Sequence, residues 1–115
     1  AITRAKAYIN AGASAIMIHS INKSPKEIFK FAKIYNNLKN RKPLIVVPTT
    51  YNHVKEKEFE KNGINMIIYA NHLFRSTYPN MKTTAESILR NKRSKESEKN
   101  LMSINEILNL IPGTK

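Results

Sequence analysis

Residues 15–20 read AIMIHS, residues 43–50 read PLIVVPTT and residues 64–72 read INMIIYANH. Each is a short run of branched and apolar residues that stops on polar side chains: His19 and Ser20, Thr49 and Thr50, Asn71 and His72. Continuous apolar runs of this length predict strands of a parallel sheet covered by helices on both faces, spanning 15–19, 44–47 and 64–69. Between them lie helical patterns. Ile28, Phe31, Ala32 and Tyr35 keep one face of a helix opened by the capping box Ser24-Pro25-Lys26-Glu27, and Val54 and Phe59 anchor a charged helix over 54–61. Upstream, Ile2, Ala5, Tyr8 and Ile9 share a helical face that Gly12 closes. Downstream, a helical stretch from Leu73 to about residue 91 carries Pro79, which predicts a kink or a split near Tyr78.

The resulting order, α-β-α-β-α-β-α-α, predicts an α/β fold of parallel strands joined by right-handed crossovers. Parallel strands bring their polar ends to one edge, where such folds bind ligands. His19, Ser20, Thr49, Thr50, Asn71 and His72 are the candidates there. Ser, Thr and Asn at strand ends commonly just satisfy backbone groups and start turns. An imidazole directly after Ile16-Met17-Ile18 must instead find a partner or face a cavity. His53 reads as a solvated turn residue, and His72 as a cap of the following helix.

The 115 residues suit one small domain, with 41% hydrophobic and 24% charged residues, an ordinary soluble composition. No apolar run reaches the ~18 residues of a membrane span. No signal-peptide pattern opens the chain, which lacks an initiator methionine and reads as a segment of a longer protein. With no cysteine, a reducing cytoplasm is the default compartment. The net charge of +12 would draw polyanions, but the lysines are spread over every segment without a nucleic-acid motif, so nucleic acid is not expected as a partner. Residues 92–100 form a basic linker expected to be exposed and mobile, before a last helix opened by the capping box Ser103-Ile104-Asn105-Glu106 and stopped by Pro112-Gly113.

All eight acids are glutamate, each on a helix or in that linker, so no convergent carboxylates are available for magnesium. Histidines 19, 53 and 72 lack zinc spacing, and no Walker loop, GxGxxG, HExxH or nucleophile elbow is present.

The stretches RAKAYINAGASAIMIHS, SPKEIFKF, PLIVVPTTY and IIYANHLFRS, in this order and resumed at SINEILNL, resemble the C-terminal half of the phosphoenolpyruvate phosphomutase family, within the isocitrate lyase and phosphoenolpyruvate mutase superfamily. The resemblance implies the last three βα units of a (β/α)₈ barrel over 1–91, the linker, and a C-terminal helix in 101–115. It implies interconversion of phosphoenolpyruvate and phosphonopyruvate in phosphonate biosynthesis. His19 matches the family histidine that hydrogen-bonds the phosphoryl group, Thr49 and Ser20 are secondary candidates at the same mouth, and Asn71, His72 and Arg75 match a motif that shapes the barrel rim. Magnesium is implied as cofactor, with ligands on strands before Ala1, so the segment alone is expected to be inactive. A small phosphorylated substrate and a homo-oligomer that exchanges the last barrel helix are the implied partners. Ser14, where the family usually has aspartate, and Pro79, in a usually continuous helix, depart from the pattern. Phosphonopyruvate hydrolase, sharing IHS and VPT-x-Y, is the alternative enzyme, and a basic non-enzymatic α/β module the alternative class.

Overall fold

The computed structural model describes residues 1–111 and 113. Helix α1 spans Ile2–Asn10, β1 Ile16–Ile18, α2 Lys26–Asn36, β2 Leu44–Val46, α3 Glu56–Lys61, β3 Met66–Ile67, α4 His72–Asn91 and α5 Ile104–Asn109, with a 3-10 helix at Lys95–Asn100. The strands are parallel, in the order β1-β2-β3, with Ile16 opposite Leu44, Met17 opposite Ile45 and Ile18 opposite Val46. Ile45 and Val46 in turn face Met66 and Ile67. Pro43 and Pro48, which lack an N–H, bracket β2, although Pro43 O still accepts from Ile16 N at 2.9 Å.

Two compact units divide the chain, residues 1–70 and 71–115. In the first, Ile16, Leu44 and Val46 bury one sheet face against Ala5 of α1, against Ile28, Phe31, Ala32 and Tyr35 of α2, and against Phe59 of α3. The four α2 positions named from spacing are all buried. Tyr35 also fixes the approach to β2, since its hydroxyl donates to Lys42 O at 2.8 Å and accepts from Lys42 N at 3.0 Å. Gly63 turns the chain after α3 at φ +71°, packed so closely on Asn36 that a Cβ would lie 2.2 Å from its Nδ2.

The expectation of helices on both faces is corrected here. Met17 and Met66, 60% and 53% exposed, flank Ile45 in one cross-strand row on an uncovered face. The apolar runs are continuous because both faces carry apolar side chains, yet the described helices of this unit cover only one.

In the second unit α4 is one helix that runs through Pro79, so the chain does not split there. The N–H that proline lacks removes one i→i−4 bond without splitting the helix, and Thr83 Oγ1 donates to Pro79 O at 2.9 Å one turn on. The expected mobile linker is partly ordered. Its 3-10 helix packs on α4, buries Ser97 and is tied by Arg93 to Glu96. The capping box at Ser103 and Glu106 forms with both reciprocal bonds. Of the expected stop, Pro112 lies outside the described residues, as do Thr114 and Lys115 of the last segment. No helix among the described residues is long and apolar enough to cross a membrane.

Candidate active site at the strand ends

Burial alternates along β1 and past its end. Ile16, Ile18 and Ser20 turn to the helices, whereas Met17 and His19 are exposed on the other side. A period of two therefore puts the His19 imidazole on the open face, one position beyond the last paired residue. His19 also lines, with Arg4, Tyr8 and Met17, a groove of about 360 Å³ between α1 and the free edge of β1.

Ser20 points the opposite way and is 6% exposed. Its hydroxyl donates to Glu27 Oε1 and accepts from Asn22 N at 3.0 Å, and Asn22 Nδ2 donates to the same carboxylate oxygen at 2.9 Å. Glu27 is thus engaged with the 19–22 turn, and the expected capping box of α2 does not form: α2 begins after Pro25 without a side-chain cap. Thr50 Oγ1 donates to Ser20 O at 2.8 Å, joining the polar ends of β1 and β2. Thr49 is half-buried, with its N–H donating to Val47 O at 2.9 Å.

Two tyrosines at strand ends escaped the sequence reading as individual residues. Tyr51 is fully buried, its ring edge-on to Phe59 and its hydroxyl without a partner, and burial pushes its pKa up. The hydroxyl of Tyr69, beyond β3, donates to Glu56 Oε1 at 2.8 Å, and that bond holds its pKa above the ordinary phenol value. The signal for both was a tyrosine at the end of the second and third apolar runs. In the second unit, Asn71 is the N-cap position of α4 with its carbonyl accepting from Arg75 N at 2.9 Å, and His72 is the first helical residue. His53 is exposed in a turn.

Among the described residues no three His, Cys, Asp or Glu side chains converge. Glu27, Glu56, Glu96 and Glu106 are each engaged by neighbours of their own. These residues do not fit a magnesium site.

Fold and strand ends together define a parallel α/β protein of the kind that takes its ligand beyond the carboxyl ends of its strands. A sequence profile of phosphoenolpyruvate phosphomutase matches residues 1–89, and the chain belongs to that family. It is 41% identical over 110 residues to the phosphoenolpyruvate phosphomutase of Tetrahymena pyriformis, covering 96% of this chain and 36% of that protein. To the phosphonopyruvate hydrolase of Variovorax sp. (strain Pal2) it is 34% identical over 111 residues, covering 96% and 37%. The crystal structure of a phosphoenolpyruvate phosphomutase from Streptomyces platensis subsp. rosaceus superposes with a TM-score of 0.80 at 32% identity, over 94% of this chain and 37% of that one. A phosphonopyruvate hydrolase in complex with oxalate and Mg++ superposes with a TM-score of 0.77 at 33% identity, over 95% and 38%. The chain thus spans little more than a third of these relatives.

Proposed function

We propose that this chain is the C-terminal portion of a phosphoenolpyruvate phosphomutase, with its three strands completing a (β/α)₈ barrel. The observation that carries the reading is the placement of His19 on the open sheet face, beyond the strand end, in a chain 41% identical to a phosphomutase. The uncovered row Met17, Ile45 and Met66 supports the barrel, because barrel strands face a packed interior of side chains from the remaining strands. So does the groove along the free edge of β1, an unpaired edge of the kind that a neighbouring strand covers.

In the reaction the phosphoryl group leaves the enol oxygen of phosphoenolpyruvate as that O–P bond breaks. It is taken up by the methylene carbon as a C–P bond forms, and the enol oxygen becomes a ketone. Atoms and charge balance without a co-reactant. Charge spreads over the phosphoryl oxygens during transfer, so the site needs donors aimed at them more than a nucleophile. An imidazole N–H of His19 is such a donor and Thr49 a second candidate beyond β2, whereas Ser20, turned to the helices and bonded to Glu27, is an anchor and not a ligand; Asn71, His72 and Arg75 carry the family motif at the start of α4. Magnesium would supply charge neutralisation at the pyruvyl oxygens, from ligands outside this segment.

A homo-oligomer is supported by α4, which has no buried residue although Leu73, Phe74, Tyr78, Met81 and Leu89 are apolar. Supplying full-length protein with phosphonopyruvate tests the reading: phosphoenolpyruvate as product supports the mutase. Pyruvate with free phosphate would identify the alternative hydrolase, which the 34% identity to such an enzyme keeps in play.

A further inference from the structure

The ladder of β1 ends at Ile18, so sheet pairing does not by itself orient the residue that follows it. Ser20, however, is gripped at both of its polar ends. Its carbonyl accepts from Thr50 Oγ1 at 2.8 Å, which ties it to the end of β2. Its hydroxyl donates to Glu27 Oε1, which ties it to the first turn of α2, while Asn22 N and Asn22 Nδ2 close the same network at 3.0 and 2.9 Å. Ser20 is buried on the helix side and His19 exposed on the open side, so adjacent residues divide anchoring from presentation. A carboxylate accepting from a hydroxyl and an amide makes charge-assisted bonds, stronger than a neutral turn would hold.

We propose that Thr50 and Glu27 are positioning residues: through Ser20 they lock the backbone on one side of His19 and thereby aim its imidazole. This rests on the phosphomutase reading for the imidazole's target, but the lock is a property of the chain itself. Misplacement of a donor by about 1 Å costs as much as a hundredfold in rate, so a loosened turn shows in turnover before it shows in folding.

In full-length protein, Thr50→Val keeps the side-chain shape and removes the donor, and Thr50→Ser restores it. The expectation is a loss of about tenfold in kcat/KM for Thr50→Val. Thr50→Ser should stay near the parent, and Thr50→Val should lose almost nothing further in a His19→Ala background, because the two changes then remove the same contribution. The second readout needs no turnover: in protein labelled with ¹³Cε1-histidine, the His19 resonance, assigned by its loss in His19→Ala, should be single in the parent and in Thr50→Ser, and split or broadened in Thr50→Val. Glu27→Met releases Ser20 from the helix side and carries the same two readouts if Thr50→Val does not fold. A loss of equal size in the His19→Ala background, or an unaltered His19 resonance, overturns the proposal. Absence of turnover in the parent would count against the phosphomutase reading alone, and the resonance would still decide the lock.

Discussion

The two faces of the three-stranded sheet are built from alternate residues of the same strands, yet they have different tasks. Ile16, Leu44 and Val46, with Ser20 just past the strand end, turn toward the helices and are buried; Met17, Met66 and His19 turn the other way and stay exposed. On the covered face, side-chain identity sets how well the first unit packs. On the open face it sets what the molecule can present to a ligand or to further strands. The lesson is that parity along a strand, more than hydrophobicity, separates stability from function here, since Met17 and Ile16 are both apolar.

The strongest way to break this comparison is truncation on each face. Leu44→Ala empties a fully buried site and should destabilise by about 2–5 kcal/mol in urea unfolding, whether measured on residues 1–115 or on full-length protein. Met17→Ala should cost less than about 0.5 kcal/mol in the 115-residue chain, where the side chain is exposed. In full-length protein the same change should rise to ~2–5 kcal/mol, because the proposed barrel would bury that row. Equal costs in the two contexts would remove the barrel from the proposed function.

His19 supplies the complementary measurement. His19→Ala should lower kcat of the full-length enzyme by about 10²–10³-fold, the usual consequence of deleting one donor aimed at developing charge, while its unfolding midpoint stays within error of the parent. If the midpoint fell along with the rate, the imidazole would belong to the packing and not to the site.

A third test stays on the covered side. Gly63→Ala combines a backbone at φ +71° with a Cβ placed 2.2 Å from Asn36 Nδ2, whose amide donates to Asn62 O at 2.8 Å, so a loss of about 1–3 kcal/mol is expected. Gly12→Ala is the control. It shares the left-handed backbone at φ +97° but meets nothing within 4 Å, so its loss should be the smaller of the two in urea unfolding.

How much of this was legible follows from which forces act locally. The order of strands and helices, the four buried positions of α2 and the capping box at Ser103 could be read directly, because spacing and caps are written within a few residues. The open face could not, since a strand packed on both sides within a barrel looks the same as one of which only one side is covered in 115 residues. Glu27 misled for a different reason. A Ser24-to-Glu27 spacing is a local cap signal, and it lost to Ser20 and Asn22, which lie upstream of the cap window and reached the carboxylate first. At Pro79 the sequence does not distinguish one helix from two, because an exposed helix can carry a proline without splitting. His19 was picked out by chemistry, but its side of the sheet emerged only from the burial alternation along β1, and the grip on Ser20 from Thr50, thirty residues away, has no signature in sequence.

The smallest expected effect concerns Tyr51, a fully buried residue whose polar atom is left over. Its ring is fully buried against Phe59, while the hydroxyl has no partner. Removing an unsatisfied buried hydroxyl relieves desolvation without leaving a cavity of any size, so Tyr51→Phe should be neutral or stabilising by up to about 1 kcal/mol at pH 7. The pH dependence sharpens this, because burial raises the Tyr51 pKa above its unfolded value near 10. Below about pH 10 both states hold the proton and the group adds no slope; as pH climbs toward the raised folded value, the unfolded chain ionises first and stability falls. Tyr51→Phe should flatten that alkaline loss in urea titrations between pH 9 and 11. A destabilised Tyr51→Phe in full-length protein, beside a neutral one in the 115-residue chain, would mean that residues beyond this segment supply the missing hydrogen-bond partner, and the covered face, like the open face under the proposed barrel, would then depend on them.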